Sequence, residues 1–218
     1  VMKRSLSLSL FTLFLYIASW AASVDTVLIQ SQAMSRSANC VVIKPASYKK
    51  KSSRKFPVLY LLHGYSGAYN NWIKRVSEIK DLADRENMLI VCPDGGYSGW
   101  YWDSPMDSTF RYETYIATEV PAYIDQHYRT IPDRTGRAIT GLSMGGHGGI
   151  YLGFRHSETF GACGSMSGAL DVSYIKQGYD VPKRLGDTTA NKRYYTELSA
   201  VTQLEKYDPR DSLAIIID

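Results

Sequence analysis

The pentapeptide Gly141-Leu142-Ser143-Met144-Gly145 constrains the fold of this chain more than any other feature of the sequence. It has the G-x-S-x-G form, in which a serine occupies a sharp turn between a strand and a helix. The residues from Arg137 to Thr140 predict a short buried strand, and those from Gly145 to His156 predict a helix. Glycine at both ends of the motif removes Cβ atoms where strand and helix nearly touch. The motif therefore makes Ser143 the candidate nucleophile.

Further apolar runs and helical patterns alternate along the rest of the chain. The runs that predict strands are Thr26 to Gln30, Asn39 to Lys44, Phe56 to Leu62, Leu89 to Pro93, Phe160 to Ser167 and Leu213 to Ile217. The stretches that predict helices are Trp72 to Arg85, Glu113 to Tyr128 and the region around Arg193 to Leu204. This alternation predicts an α/β fold, a mainly parallel sheet with helices on both faces.

The N-terminus has the composition of an export signal. Met2-Lys3-Arg4 is followed by an apolar run from Leu6 to Ile17, and small residues then favour cleavage after Ala21 or, second, after Ser23. The run is shorter than the roughly 20 residues that a membrane-spanning helix needs, so a stable membrane anchor is not expected. We therefore divide the 218 residues into a signal peptide, 1–23, and one domain, 24–218, of a secreted or periplasmic protein.

Charge and cysteine usage exclude several classes of partner. The net charge of +4 is too small to favour nucleic acid, and part of it lies in the signal segment. Cys40, Cys92 and Cys163 all fall in predicted strands, where buried thiols behave as small apolar side chains. No histidine or cysteine lies at metal-ligand spacing from them, and the sequence shows no ligand cluster for a metal or an organic cofactor, so neither is expected.

A serine hydroxyl attacks an ester only when a base takes its proton and donors stabilise the oxyanion. The turn itself supplies one donor, the backbone N–H of Met144 at the start of the helix. The second should come from the loop after the strand that ends in Leu61-Leu62, where the Tyr65 N–H is the best candidate. His63 would then shape this loop rather than transfer a proton.

Several longer strings resemble one family. These are Val58-Leu59-Tyr60-Leu61-Leu62-His63-Gly64, Gly141-Leu142-Ser143-Met144-Gly145-Gly146, the stretch from Phe160 to Gly168, Pro93-Asp94-Gly95-Gly96 and the stretch from Trp100 to Pro105. Together they resemble the esterase D branch of the α/β-hydrolases, from about Val41 to Asp218. That branch includes S-formylglutathione hydrolases, feruloyl and acetyl-xylan esterases, short-chain acyl esterases and secreted mycolyltransferases. The resemblance implies an α/β-hydrolase fold and ester chemistry at Ser143.

The resemblance also implies a catalytic triad in the order serine, acid, histidine. Ser143 carries over directly, whereas the acid normally follows a strand such as Leu213 to Asp218 and the histidine comes later still. Asp218 could be the acid only with a shifted loop, and no histidine follows it in the printed sequence. We therefore expect the chain to be C-terminally incomplete, without the last strand, its helices, the triad histidine and, unless Asp218 serves, the acid.

Aromatic residues follow a predicted strand end, where open α/β sheets bind ligands. Tyr97, Trp100, Tyr101 and Trp102 could stack on the aryl or sugar part of an ester, or they could form a packed lid. We place His63, Trp100, Tyr101, Trp102 and His147 in the substrate pocket. His127 and His156 end helices and are expected at the surface or as helix caps.

These observations predict a serine carboxylesterase that forms an acyl-enzyme on Ser143. Its substrate would be a short-chain acyl ester or a carbohydrate-linked acetyl or feruloyl ester, small or attached to a polysaccharide. The alternatives are an acyltransferase or thioesterase of the same fold and a catalytically inactive fragment. The sequence does not indicate an oligomeric state.

Overall fold

A computed structural model describes residues 21–49 and 52–218 of the chain. Residues 1–20 of the predicted signal segment lie outside the described residues. The strands are β1 (Ser23–Ser31), β2 (Arg36–Lys44), β3 (Val58–Leu62), β4 (Leu89–Pro93), β5 (Arg137–Gly141), β6 (Ala162–Ser165) and β7 (Ala214–Ile217). The helices are α1 (Asn71–Arg75), α2 (Ile79–Glu86), α3 (Tyr112–Thr114), α4 (Val120–His127), α5 (Met144–Arg155), α6 (Val181–Leu185), α7 (Lys192–Glu197) and α8 (Ala200–Lys206).

The seven strands form one mixed sheet in the order β1-β2-β4-β3-β5-β6-β7. β1 is antiparallel to β2, and β2 is antiparallel to β4. From β4 through β3, β5 and β6 to β7, every neighbouring pair is parallel. The predicted α/β fold with a mainly parallel sheet is therefore confirmed, and each predicted strand is present.

Apolar side chains are buried on both faces of the sheet, because adjacent residues of a strand point to opposite sides. On one face, Tyr60 and Leu62 belong to the larger cluster, which includes residues of α4 and α5. On the other face, Leu61 belongs to a smaller cluster with residues of α2. Because parallel strands end at a common edge, the loops after β3 and β5 meet at the carboxyl end of the sheet.

Two predicted helices are interrupted. The helix predicted from Trp72 to Arg85 is wrong as a single element, because Val76 adopts extended backbone angles, φ −119° and ψ 94°, and ends α1. The break lets α1 lie beside the loop after β3 while α2 packs on the sheet. The helix predicted from Glu113 to Tyr128 contains a π-helical turn, Tyr115–Glu119, between α3 and α4.

The strand cysteines Cys40, Cys92 and Cys163 are buried free thiols, as predicted. Burial raises the pKa of the Cys163 thiol to about 12, so it stays protonated at neutral pH. Across residues 21–49 and 52–218, no cluster of histidine, cysteine or carboxylate side chains could hold a metal ion. Within the same ranges, no helix is long and apolar enough to span a membrane.

β7 is the outermost described strand on its side of the sheet. Its isoleucines Ile215, Ile216 and Ile217 are exposed. The expectation that a further strand and helices belong to this fold stays a prediction.

A buried carboxylate joins α3 to the end of α5. Glu113 accepts hydrogen bonds from Tyr151 Oη at 2.8 Å, Arg155 Nε at 2.7 Å and His156 Nε2 at 3.0 Å. Burial alone would raise the pKa of Glu113, but these donors outweigh it and hold that pKa below its ordinary value. Burial alone would lower the pKa of His156, but Glu113 and Glu158 outweigh it and raise that pKa.

We expect Glu113→Gln to lower the free energy of unfolding by about 2 kcal/mol near pH 6, because charged hydrogen bonds to buried Glu113 are lost. Folding raises the pKa of His156, so the charged imidazolium contributes fully to stability below the ordinary pKa of histidine. This contribution is lost as the pH rises through the folded pKa. The lowered pKa of Glu113 gives a contribution that is lost as the pH falls through its folded value. Urea unfolding at about pH 6 and about pH 8.5 should therefore give a larger Glu113→Gln effect at the lower pH. An equal effect at both would contradict this assignment.

Candidate active site

Ser143 lies at the turn between β5 and α5, in a backbone conformation that few side chains adopt. Its angles are φ 56° and ψ −114°, and α5 begins at the next residue. The Ser143 N–H donates to the Met166 carbonyl at 2.9 Å, which ties the turn to the residue following β6. Non-glycine residues with positive φ are uncommon and cluster at functional sites, where the surrounding structure holds the strain.

The two glycines of the motif allow this turn to form. A Cβ on Gly141 would lie 2.6 Å from the Leu62 carbonyl oxygen and 2.7 Å from backbone atoms of Gly145. A Cβ on Gly145 would lie 2.5 Å from the Leu62 oxygen and 2.7 Å from the His63 oxygen. Both contacts are with backbone, which cannot rotate away. The start of α5 is therefore pressed directly against the end of β3.

The two predicted oxyanion donors, Tyr65 and Met144, belong to segments that meet at this edge of the sheet. No acceptor for either N–H is found in the described parts of the chain, 21–49 and 52–218. For Met144 this follows from its place as the first residue of α5, since the first helical amides have no acceptor within the helix. Neither amide is therefore committed to a protein acceptor within these parts of the chain.

The peptide group between Gly64 and Tyr65 is fixed through its carbonyl. The Gly64 oxygen accepts hydrogen bonds from the Gly67 N–H at 3.0 Å and from His63 Nδ1–H at 2.8 Å. His63 Nε2 in turn accepts from the Gly95 N–H at 2.8 Å, which sets the tautomer of the ring. Because C=O and N–H of a trans peptide point in opposite directions, these bonds also set the direction of the Tyr65 N–H.

A cavity of about 330 Å³ opens over Ser143. Its lining combines the loop after β3, helix α1, the serine turn and one residue from a distant loop. The lining residues are His63, Gly64, Tyr65, Asn71, Trp72, Arg75, Val76, Leu142, Ser143 and Tyr179. Among the residues that we placed in the pocket, His63 lines this cavity, but its ring nitrogens are both hydrogen-bonded to backbone. His63 therefore holds the loop, as the sequence suggested.

The prediction that Trp100, Tyr101, Trp102 and His147 line the pocket is wrong. All four side chains are buried, and none lines the cavity over Ser143. Trp100 and Trp102 stack on each other with ring centres 5.3 Å apart, and both contact the His147 ring edge-on. These residues of the aromatic loop are packed inward, which is the alternative that the sequence left open, whereas Tyr97 of the same loop is exposed.

His147 is also unsuited to act as a base. Its Nε2–H donates to the Leu198 carbonyl at 3.1 Å, and burial lowers the pKa of the imidazole to about 4. The other two histidines lie elsewhere: His127 ends α4, with its Nδ1–H donating to the Tyr123 carbonyl, and His156 caps α5 beside Glu113. Each histidine of the described chain is thus engaged away from the serine hydroxyl.

Asp218 lies at the carboxyl edge of the sheet, near the serine turn. Its N–H donates to the Ser165 carbonyl at 3.0 Å, and its own carbonyl accepts from the Ser167 N–H at 3.1 Å. These bonds continue the pairing of β7 with β6 by one residue. The role of triad acid stays a prediction for Asp218.

Sequence reasoning missed part of the cavity wall. Helix α1 contributes three lining residues, Asn71, Trp72 and Arg75, and Val76 follows directly after it. Tyr179 comes from a region without a recognisable motif and is 58% exposed. The Tyr65 ring lies between the rings of Tyr97 and Tyr179, with centroid distances of 5.0 Å and 5.3 Å. These three tyrosines, Tyr65, Tyr97 and Tyr179, form a partly exposed aromatic cluster at the cavity.

Residues 31–218 match a family model described as "Putative esterase". The chain is 34% identical to Esterase Rv1288 of Mycobacterium tuberculosis (strain ATCC 25618 / H37Rv) over 130 residues. This aligned stretch covers 58% of this chain and 28% of that protein. It is 29% identical to an acetyl esterase of Caldicellulosiruptor saccharolyticus over 147 residues, 67% of this chain and 53% of the relative. The chain thus spans about a quarter to a half of these curated relatives.

A solved structure of a ferulic acid esterase superposes on this fold with a TM-score of 0.75 and 32% sequence identity. The superposition covers 91% of this chain and 79% of that one. The mixed sheet with its flanking helices is thus an arrangement found in an α/β-hydrolase-like esterase structure.

Proposed function

Because the chain belongs to the esterase family of carboxylic ester hydrolases, we propose that it hydrolyses carboxylic esters through an acyl-enzyme on Ser143. The observation that carries this proposal is the meeting of three groups at one edge of the sheet. They are a serine with positive φ at a helix start and two backbone amides, of Tyr65 and Met144, without an acceptor among residues 21–49 and 52–218. Preorganised donors of this kind contribute several kcal/mol when charge develops on a carbonyl oxygen.

In the proposed reaction, Ser143 Oγ attacks the ester carbonyl and the electron pair of the C=O bond moves to oxygen. The Tyr65 and Met144 N–H groups donate to that oxyanion. Collapse of the intermediate expels the alcohol and leaves the acyl group on Ser143, and water then releases the acid. The proton of Ser143 needs a base, which none of the four described histidines is placed to supply. The family resemblance implies that this base is a histidine, assisted by an acid, and that both follow Ser143 in chain order.

The cavity favours esters with a compact acyl group and a ring nearby. A volume of about 330 Å³ accommodates a small molecule, and most of the lining is apolar or aromatic. The cluster of Tyr65, Tyr97 and Tyr179 offers exposed ring faces and hydroxyls, the combination that suits an aryl or sugar ring. We therefore propose short-chain acyl esters or carbohydrate-linked acetyl or feruloyl esters as substrates. Export of the protein is proposed on the sequence of residues 1–23 alone.

The direct test is hydrolysis of p-nitrophenyl acetate and methyl ferulate by the protein expressed from its complete reading frame. The proposal predicts saturable release of p-nitrophenol, and lower activity on p-nitrophenyl palmitate, whose chain exceeds the cavity. No hydrolysis of any ester above the buffer rate would contradict it and would favour an inactive protein.

Acyl transfer is the second function to be tested, because an acyl-enzyme can react with an alcohol as well as with water. We expect hydrolysis to dominate, so that added glycerol or glucose at about 0.1 M diverts less than half of the acyl groups. The measurement is the ratio of free acid to new ester by chromatography. A ratio below one at this acceptor concentration would identify a transferase. A thioesterase would instead prefer a thioester over the matched oxygen ester.

A further inference from the structure

The Tyr101 side chain lies between the two segments that carry the oxyanion donors. Its hydroxyl donates a hydrogen bond to the His63 carbonyl at 2.8 Å, in the loop that leads to Tyr65. Its ring meets the His63 ring edge-on at a centroid distance of 6.1 Å. Tyr101 is fully buried, and burial raises the pKa of its hydroxyl well above the ordinary value, so the group remains a neutral donor.

The other side of the Tyr101 ring touches α5. A Cβ on Gly148 would lie 2.4 Å from the ring carbon Cδ2, so the ring packs directly against the backbone of the helix. Gly148 is four residues after Met144, one helical turn further along the same face. A Cβ on Gly95 would likewise lie 2.4 Å from the ring carbon Cε1, and the Gly95 N–H is the donor that holds His63.

The backbone of Tyr101 is held in an unfavourable conformation. Its φ is 63°, and that of the preceding Trp100 is 54°. Two consecutive non-glycine residues with positive φ are costly, and the surrounding structure must over-determine them. Neighbouring contacts do so here: the indole N–H of Trp100 donates to the Tyr179 carbonyl at 2.9 Å, and the Trp102 N–H donates to the Gly99 carbonyl at 3.2 Å.

From these contacts we infer that Tyr101 is a positioning residue that sets the separation and direction of the two oxyanion donors. The ring acts as a spacer between the loop after β3 and helix α5. The hydroxyl fixes the His63 carbonyl, and through it the peptide that ends in the Tyr65 N–H. This inference rests on the proposed function for its effect on catalysis, but its effect on the loop itself is independent of activity.

The test is Tyr101→Phe, which keeps the ring and removes the hydroxyl. Its matched control is Tyr115→Phe, because the Tyr115 hydroxyl is buried without a hydrogen-bond partner in the described chain. Since the donors are displaced rather than removed, we expect Tyr101→Phe to lower kcat for p-nitrophenyl acetate about 10-fold. The KM should change less than about twofold, because the ground-state ester barely uses these donors. Tyr115→Phe should keep both constants.

A transition-state analogue gives a sharper measurement. A methyl trifluoromethyl ketone adds Ser143 Oγ and places an oxyanion between the donors, so its inhibition constant should rise by about the same factor as kcat/KM falls. Tyr101→Phe kinetics equal to those of Tyr115→Phe, or a raised KM with unchanged kcat, would overturn the inference.

Hydrogen exchange measures the same position without catalysis. In Tyr101→Phe, the peptide that contains His63 to Gly67 should exchange its amide hydrogens faster than in Tyr115→Phe, while the peptides of β1 and β2 stay unchanged. Equal exchange in the two variants would refute the positioning role even if the protein proved inactive. Absence of turnover in the unmodified protein, with faster exchange in Tyr101→Phe, would instead refute the proposed function and leave the positioning role supported.

Discussion

Replacement of Ser143 by alanine is expected to lower kcat/KM for p-nitrophenyl acetate by about 10⁴- to 10⁶-fold, because no acyl-enzyme can form without the hydroxyl. The Tyr65 and Met144 amides would remain, so weak stabilisation of an oxyanion formed by direct attack of water would survive. The free energy of unfolding should stay within about 0.5 kcal/mol of the unmodified protein, since the substitution removes one oxygen at a solvent-facing cavity. The measurement is steady-state hydrolysis with urea unfolding on the same preparation.

The control for Ser143→Ala is the same substitution at Ser66, an exposed serine in the loop beside the cavity. Ser66→Ala should retain activity within a few-fold. If Ser143→Ala kept more than a tenth of the activity, Ser143 would not be the nucleophile.

The second large effect is expected from Gly145→Ala. The added methyl group would lie 2.5 Å from the Leu62 carbonyl and 2.7 Å from the His63 carbonyl, both in the backbone. The start of α5 must then move away from β3, and a displacement of about 1 Å between Ser143 and the Tyr65 amide can cost about 100-fold in rate. We also expect the free energy of unfolding to fall by about 1–3 kcal/mol, the usual cost of overpacking.

Gly64→Ala is the matched variant for stability, because its Cβ would lie 3.3 Å from the Leu142 carbonyl, a tight but tolerable contact. It should therefore destabilise the protein less than Gly145→Ala. Equal stability of the two variants, or full activity of Gly145→Ala, would show that the close approach of α5 to β3 is not required.

The positions of the strands that carry the site follow from local signals in the sequence. Apolar runs such as Leu89 to Pro93 can satisfy their hydrogen bonds and burial only within a covered sheet, so their positions were predicted. The serine turn was predicted because the required glycines are adjacent in sequence to Ser143. The Tyr65 amide was a candidate because it lies in the loop after the predicted strand that ends in Leu61-Leu62.

The rest depends on contacts between distant residues, which no local pattern encodes. The sequence of the aromatic loop is the same whether the Trp102 side chain faces a ligand or the core. In the structure, the indole N–H of Trp102 donates to the Leu198 carbonyl, 96 residues away. Tyr179 reaches the cavity through a turn in which Gly178, Tyr179 and Asp180 all have positive φ. The break in the helix at Val76 was not predicted, because hydrophobic residues continue at helical spacing on both sides of it.

In the proposed reaction, Ser143 carries the acyl group. The most direct measurement is mass spectrometry of the protein quenched in acid during turnover of p-nitrophenyl acetate. We expect a mass increase of one acetyl group, mapped to the peptide that contains Gly141 to Gly145 and absent from Ser143→Ala. Acetyl on a different residue, or turnover with no acylated protein at any time, would contradict it.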